Sequence, residues 1–110
     1  MTPRCGPGRA FCVGQDLHEH AALLEAGDPA PLKTVAEHYN PIVTALAALP
    51  FPTVAALNGT AAGAGLGLAC ALDLRVGAAG SRYVTAFAGI GLSADSGLSW
   101  SLPRLVGAGR

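Results

Sequence analysis

The stretch NGTAAGAGLGLACALD, from Asn58 to Asp73, carries no charge before its last residue and consists largely of glycine and alanine. Such a segment offers little side-chain area for packing, but it leaves the backbone accessible. The N–H groups in the first turn of a helix have no intrahelical partner and point together beyond the helix N-terminus. A helix that begins near Gly63 could therefore stabilise an enolate or another oxyanion, each donor contributing about 3–4 kcal/mol in a transition state. One N–H does not make an oxyanion hole, so a second donor must come from another segment.

Two other kinds of site fit this stretch poorly. A membrane-spanning helix needs about 20 predominantly apolar residues, whereas Pro50, Pro52 and Asn58 interrupt the uncharged run. The G-x-G-x-G spacing is neither the G-x-G-x-x-G of a dinucleotide-binding turn nor a phosphate loop ending in Gly-Lys-Ser/Thr. Close packing of a small-residue helix against a sheet remains open as an explanation beside the oxyanion hole.

A second segment, GRAFCVGQDL from Gly8 to Leu17, is a source of the other donor. Together the two segments resemble the enoyl-CoA hydratase/isomerase family, also called the crotonase superfamily. The segment from Gly8 matches the family turn (R/K)-x-F-x-x-G-x-D-(L/I), and the glycine-rich stretch matches N-G-x-A-x-G-x-G-x-x-L-A-x-x-x-D. Residues 81–107 continue the match, which therefore covers nearly the whole chain.

The resemblance implies an α/β fold, a partial crotonase-like spiral of repeating ββα units. Residues 1–110 would form the central part of a single domain, without the C-terminal helices that build trimers. It implies an acyl-CoA substrate whose thioester oxygen is held by the backbone N–H groups of Val13 and Ala64. The further residues implied to bind the coenzyme A thioester are Arg9, Ala10, Gln15, Asp16, Leu17, Gly63, Gly65, Gly67 and Phe87. Coenzyme A is then part of the substrate, no separate cofactor or metal is expected, and the full-length protein would be a homotrimer or hexamer.

The sequence departs from the family hydratases at two positions. Those enzymes carry two glutamates, and here Gly67 and Phe87 stand in their places, where neither side chain can move a proton. Asp95, in GLSADSG, matches an aspartate that is a base or nucleophile in family isomerases and dehalogenases. One carboxylate beneath an oxyanion hole suits a proton shuttle between two carbons of a dienolate. Capping of the following helix is the alternative role for Asp95.

The combined pattern most resembles the branch of the family that acts on ring-epoxidised phenylacetyl-CoA and related unsaturated acyl-CoAs. We therefore expect an isomerase of fatty acid or phenylacetate metabolism with Asp95 as its base. Two alternatives stay open. One is a hydratase-like or dehalogenase-like enzyme that uses other groups, and the other is a non-catalytic remnant.

The elements that must position these residues follow from hydrophobic spacing and from turn residues. The pattern predicts strands at 10–13, at 53–59, where the strand closes on a turn, and in DLRVGA and SRYVTAF. It predicts a helix with Asp16 as its N-cap, one at 32–49 with a break at Pro41, one at about 63–72, and one with a capped start at Asp95 or Ser96. Cys70 and Trp100 are expected in the core. The His18-Glu19-His20 run lacks HExxH spacing and is expected to be solvated.

Composition limits the class of protein. The chain is 51% hydrophobic, and its seven basic and seven acidic residues cancel. A balanced charge favours neither nucleic acid nor an anionic membrane surface as a partner. Cys5, Cys12 and Cys70 form no CxxC pair, which is typical of a reducing cytosol and indicates a cytoplasmic protein. The abrupt ends indicate a piece of a longer chain.

Overall fold

Two strands followed by a helix recur along residues 8–109, which are the residues that the computed structural model describes. The strands are β1 (Ala10–Cys12), β2 (Val54–Leu57), β3 (Thr60–Ala62), β4 (Leu74–Gly77) and β5 (Tyr83–Val84). The α-helices are α1 (Leu17–Glu25), α2 (Asn40–Ala47), α3 (Ala64–Ala71) and α4 (Leu98–Val106). A π-helical turn (Val35–Tyr39) leads into α2, and a 3₁₀ turn (Ala88–Ile90) precedes α4.

The strands pair between successive repeats rather than within them. β2 lies parallel to β4 from Val54↔Leu74 to Leu57↔Gly77, and β1, β3 and β5 form a separate three-stranded parallel sheet. The unit β2–β3–α3 is thus stacked on the next unit, β4–β5–α4. The predicted α/β class and its repeating ββα units are confirmed.

β3 was not expected from the sequence, which placed its residues in a turn. Thr60–Ala62 is short, and it is held as a strand by β1 on one side and β5 on the other. Gly59, just before it, permits the close approach, because a Cβ there would overlap the backbone of Arg9.

The predicted break at Pro41 is confirmed, and it takes the form of the π-helical turn. Pro41 has no N–H, so it cannot make a regular i→i−4 hydrogen bond within a helix. Immediately before it, the N–H of Asn40 donates to the carbonyl of Val35, five residues back. Such widened turns inside helices occur often at functional sites.

The core lies around α3. Leu66, Ala69 and Cys70 of this helix are buried, and Leu98 of α4 is only 1% exposed. Phe11 of β1 packs against both clusters of buried residues. The expectation that Cys70 is a core residue is confirmed, and burial raises the pKa of its thiol.

Two expectations about α4 are wrong. The helix begins at Leu98, after Gly97, and has no side-chain cap. It cannot begin earlier, because Ser96 and Gly97 have left-handed backbone angles, φ 51° and 73°, which a right-handed helix does not contain. Trp100 is 67% exposed, and its ring stacks on the guanidinium of Arg104, 3.2 Å from the ring centroid.

Among residues 8–109, no helix is both long enough and apolar enough to cross a membrane.

A hydrogen-bonded pair joins the starts of β2 and β4. The N–H and hydroxyl of Thr53 donate to Oδ2 of Asp73 at 2.8 and 2.7 Å, and the N–H of Asp73 donates to the Thr53 hydroxyl at 3.0 Å. The hydrogen bonds from the Thr53 side chain, then from its backbone, hold the pKa of Asp73 below its ordinary value of 3.8.

This pair predicts an acid-sensitive contribution to stability. A carboxyl group whose pKa is lower in the folded state stabilises the fold at pH values above its unfolded-state pKa. This stabilisation is lost as the pH falls through the folded-state pKa. We therefore expect Thr53→Val to flatten the loss of stability below about pH 4, since the hydroxyl donor is gone. Urea denaturation from pH 2.5 to 7 measures this, with Thr53→Ser as the hydroxyl-bearing control. Equal slopes for wild type and Thr53→Val would contradict the assignment.

Candidate active site

A cavity of about 110 Å³ opens at one edge of the three-stranded sheet. The carboxyl ends of parallel strands share an edge, which is where α/β folds bind ligands. The cavity is lined there by the residues that follow each strand: Val13, Gly14 and Gln15 after β1, Gly63 and Ala64 after β3, and Ala86 and Phe87 after β5.

The opposite wall of the cavity is mainly apolar. It consists of Leu17 and His20 from α1, Leu32, Val35 and Tyr39 before α2, and Ile90, Leu92 and Asp95 from the segment that leads to α4. Leu17 and His20 are three residues apart, and Val35 and Tyr39 are four apart, so each pair presents one helical face to the cavity.

The N–H groups of Val13 and Ala64 are free of protein acceptors among the hydrogen bonds of residues 8–109. Ala64 is the first residue of α3, where an N–H has no intrahelical partner. Gly14, with φ +89°, sits between the two: a Cβ there would lie 3.3 Å from the Ala64 nitrogen. Only a residue without a side chain permits this approach, and so the end of β1 meets the start of α3.

Gly65 explains part of the glycine-rich pattern. A Cβ at Gly65 would overlap the carbonyl of Cys12 and lie 2.8 Å from its Cβ. The helix α3 can therefore pack directly on the backbone of β1. The packing explanation that the sequence left open is correct for this glycine, and it is compatible with an oxyanion hole.

Asp95 is held by its neighbour Ser96. The Ser96 hydroxyl, in a residue only 1% exposed, donates to Oδ1 of Asp95 at 2.7 Å. The Asp95 backbone carbonyl accepts the N–H of Leu98 at 2.9 Å, but no N–H among the described residues donates to its carboxylate. Asp95 is therefore not the side-chain cap of α4, and Oδ2 accepts no hydrogen bond from residues 8–109.

Tyr39 adds a phenol that the sequence interpretation did not include. Burial, and after it the negative charges of Cys12, Asp95 and Glu19, raise the pKa of Tyr39 above its ordinary value of 10.0. Its hydroxyl stays protonated at neutral pH, and Tyr39 is one of the residues that line the cavity. The i, i+4 spacing of Val35 and Tyr39 indicated an amphipathic helix, but it did not show which site the apolar face of that helix would line.

His20 was expected to be solvated, and this is wrong. His18 and Glu19 are exposed, whereas His20 is partly buried and lines the cavity. The Nδ1 atom of His20 and the Nε2 atom of Gln15 are both buried without a hydrogen-bond partner. The i, i+3 spacing from Leu17 was the signal in the sequence for this inward face.

The family model described as Enoyl-CoA hydratase/isomerase matches residues 5–110. The chain belongs to this family. A protein named 1,2-epoxyphenylacetyl-CoA isomerase, from Escherichia coli (strain K12), is 44% identical over 115 residues, covering 99% of this chain and 43% of the relative. A protein named "Probable enoyl-CoA hydratase", from Rhodobacter capsulatus, is 46% identical over 106 residues, covering 96% of this chain and 39% of the relative.

Solved structures agree with this membership in the enoyl-CoA hydratase/isomerase family. A crystal structure from Mycobacterium abscessus, described with the same family name, matches with a TM-score of 0.90 and 53% identity, over 94% of this chain and 40% of that one. The chain thus spans about two fifths of the length of the relatives it matches.

The structure brings most of the residues predicted from the family motifs to the cavity. Those in its lining are Val13, Gln15, Leu17, Gly63, Ala64, Phe87 and Asp95, and those outside it are Arg9, Ala10, Asp16, Gly65 and Gly67. Arg9 and Ala10 lie at the amino end of β1, and three strand residues span about 10 Å. Asp16 is the cap of α1, as expected, and accepts the N–H groups of His18 and Glu19 at 2.9 and 3.4 Å.

Both glutamate positions of the family hydratases are closed in this chain. A Cβ at Gly67 would lie 2.9 Å from the Ser96 carbonyl oxygen and 3.1 Å from its Cβ. Phe87 is 8% exposed and belongs to the main buried cluster. The space that a glutamate would need at Gly67 is taken by the segment that carries Asp95.

We expect Gly67→Ala to destabilise the protein. Replacing glycine by alanine in a helix interior normally raises the free energy of unfolding by about 1 kcal/mol. Overpacking against the Ser96 backbone lowers it by about 1–3 kcal/mol. Gly89→Ala is the control, because a Cβ there meets nothing within 4 Å. Urea denaturation compares the two variants, and a Gly67→Ala protein at least as stable as Gly89→Ala would contradict the close packing.

Proposed function

We propose that the cavity is the acyl site of an acyl-CoA isomerase, in which Val13 and Ala64 bind the thioester oxygen and Asp95 moves a proton. The observation that supports this most directly is that Asp95 and two residues whose backbone N–H groups have no partner among residues 8–109 line the same cavity. Because the chain spans only part of its relatives, the activity is proposed for the whole protein.

The chemistry follows from these three groups. The two N–H groups polarise the thioester carbonyl, so that the proton on the adjacent carbon becomes more acidic. Oδ2 of Asp95 removes a proton from the acyl chain, and the negative charge develops on the thioester oxygen between the two donors. The protonated Asp95 then returns the proton to a different carbon of the dienolate, and the double bond has moved. No second acid or base is required.

The same residues argue against hydration. Addition of water requires one group to activate the water and another to protonate carbon. Gly67 and Phe87 stand where the family hydratases have glutamates, and neither can do this. Relatives carry the names of isomerases, hydratases and also dehalogenases, such as a 4-chlorobenzoyl coenzyme A dehalogenase-1 from Arthrobacter sp at 35% identity. The single carboxylate therefore supports isomerisation over hydration in this proposal.

The cavity favours a small acyl group. Its volume is about 110 Å³, and a dry apolar cavity of about 150 Å³ binds benzene. A single ring or a short chain is the best fit, in line with the relative named for an epoxyphenylacetyl thioester. On this proposal coenzyme A enters as part of the substrate and no other cofactor takes part. The homotrimer or hexamer expected for the full-length protein stays a prediction.

We expect Asp95→Asn to lower turnover sharply while acyl-CoA binding is retained. The amide has nearly the shape of the carboxylate and can still accept the Ser96 hydroxyl, but it cannot take up a proton. Loss of a general base typically lowers the rate by about 10²–10⁴-fold. Deuterium exchange at the α-carbon of a bound acyl-CoA measures the step directly, and thermal melting shows whether the fold is intact.

Asp28→Asn is the matched control for this experiment. Asp28 accepts the N–H of Ala30 at 2.8 Å in a loop and does not line the cavity. Its variant should exchange deuterium at the wild-type rate. Near wild-type exchange in Asp95→Asn would show that Asp95 is not the base, and the proposed isomerase mechanism would be wrong.

A further inference from the structure

Ser96 adopts a backbone conformation that is unfavourable for its residue type. Among residues 8–109, the two non-glycine residues with a positive φ are Ala86, at 65°, and Ser96, at 51°. Glycine adopts such angles without steric cost, whereas other residues are strained there, and strained residues cluster at active sites. Ala86 lines the cavity, and Ser96 directly follows Asp95. A serine where glycine would fit without strain indicates that the serine side chain has a role.

The Ser96 side chain contacts both α3 and Asp95. The residue is 1% exposed, and its hydroxyl donates to Oδ1 of Asp95 at 2.7 Å. An added Cβ at Gly67 of α3 would lie 3.1 Å from the Cβ of Ser96 and 2.9 Å from its carbonyl oxygen. Because the backbone and the Cβ of Ser96 are both packed against α3, the hydroxyl is held at a fixed place beside Asp95.

This hydrogen bond places the two carboxylate oxygens of Asp95 in different surroundings. Oδ1 accepts the Ser96 hydroxyl, whereas Oδ2 accepts no hydrogen bond from residues 8–109 and keeps some accessible surface. The torsion that rotates an aspartate carboxylate has only broad, weak preferences of its own. A hydrogen bond to one oxygen therefore fixes a group that would otherwise present either oxygen to the cavity that Asp95 lines.

We propose that Ser96 is a positioning residue, which holds Oδ1 of Asp95 so that Oδ2 is the oxygen that removes the proton from the acyl chain and returns it. This inference rests on the proposed function, since it assumes that Asp95 is the base. In that reaction the carboxyl group returns the proton to a different carbon from the one that supplied it. The carboxyl group must therefore keep its orientation between the two steps. Ser96 does not line the cavity and acts through Asp95 alone.

Two substitutions of Ser96 test the proposal in the whole protein. Ser96→Ala removes the hydroxyl and keeps the Cβ, and Ser96→Gly removes the Cβ and the backbone strain as well. The readout is deuterium exchange at the α-carbon of phenylacetyl-CoA at saturating ligand. We expect both variants to exchange about 10- to 100-fold more slowly than wild type, since displacement of a reacting group by about 1 Å costs about 100-fold. The dissociation constant of phenylacetyl-CoA should not change.

Thermal melting separates positioning from a merely structural role of Ser96. The two variants differ in backbone strain, so we expect their melting temperatures to differ. A structural role predicts that the loss of exchange follows the loss of stability. The positioning role predicts an equal loss of exchange in both variants, because both lack the hydroxyl. If Ser96→Ala does not fold, Ser96→Gly tests the same hydroxyl without the strain.

A double variant tests whether Ser96 acts through Asp95. Residues that act as one unit have non-additive effects. We therefore expect Ser96→Ala to cause no further decrease in exchange when it is added to Asp95→Asn.

Ser101→Ala is the matched control. The Ser101 hydroxyl donates to the carbonyl of Gly97 at 3.0 Å, and Ser101 belongs to the helix that follows Asp95 but does not line the cavity. This variant also loses one hydroxyl and one hydrogen bond, and it should exchange deuterium at the wild-type rate.

The negative results separate this inference from the proposed function. Wild-type exchange in both Ser96 variants, a loss that follows the melting temperature, or a further decrease in the double variant would overturn the role of Ser96 and leave the isomerase proposal intact. Absence of exchange in the wild-type protein would overturn the proposed function itself.

Discussion

The close approach of backbone to backbone around α3 is the constraint on which the rest of this structure depends. Gly65 lies against the carbonyl of Cys12, Gly67 lies against Ser96, and Gly14 lies against the nitrogen of Ala64. No other residue type fits these contacts without a shift of the main chain. Because the cavity forms where β1, α3 and the Asp95 segment meet, these close contacts between segments help to fix its position. The glycine-rich pattern is therefore a packing requirement and, on the proposed function, a catalytic one.

The contact between Gly67 and Ser96 also links two features of the sequence that look independent. The segment that leaves no room for a side chain at Gly67 in α3 is also the segment that carries Asp95 before α4. Ser96 fills the space beside Gly67, adopts a left-handed backbone conformation and donates its hydroxyl to Asp95. A non-glycine residue in such a conformation costs of order 1–3 kcal/mol, and the buried contacts around Ser96 offset it.

The sequence predicted those features of the fold that are determined by neighbouring residues in the chain. The cap at Asp16, the break at Pro41 and the helix start after Gly63 follow from residues adjacent to the feature itself. The rest depended on tertiary contacts. β3 is held as a strand by the two strands that flank it, and His20 lines a cavity that several distant segments form together. Hydrophobicity alone did not show that Trp100 would be exposed. The family motifs identified Val13 and Ala64, but not the wall opposite them.

On the proposed function, the use of main-chain donors at Val13 and Ala64 has an evolutionary consequence. A peptide N–H is present whatever side chain the codon specifies, proline excepted, so point mutations at these two positions leave the donors in place. The carboxylate of Asp95 has no such protection, since its chemistry changes with a single substitution. On this arrangement new reactions can arise by exchange of a few side chains in the cavity wall, while the part that binds the thioester is inherited unchanged.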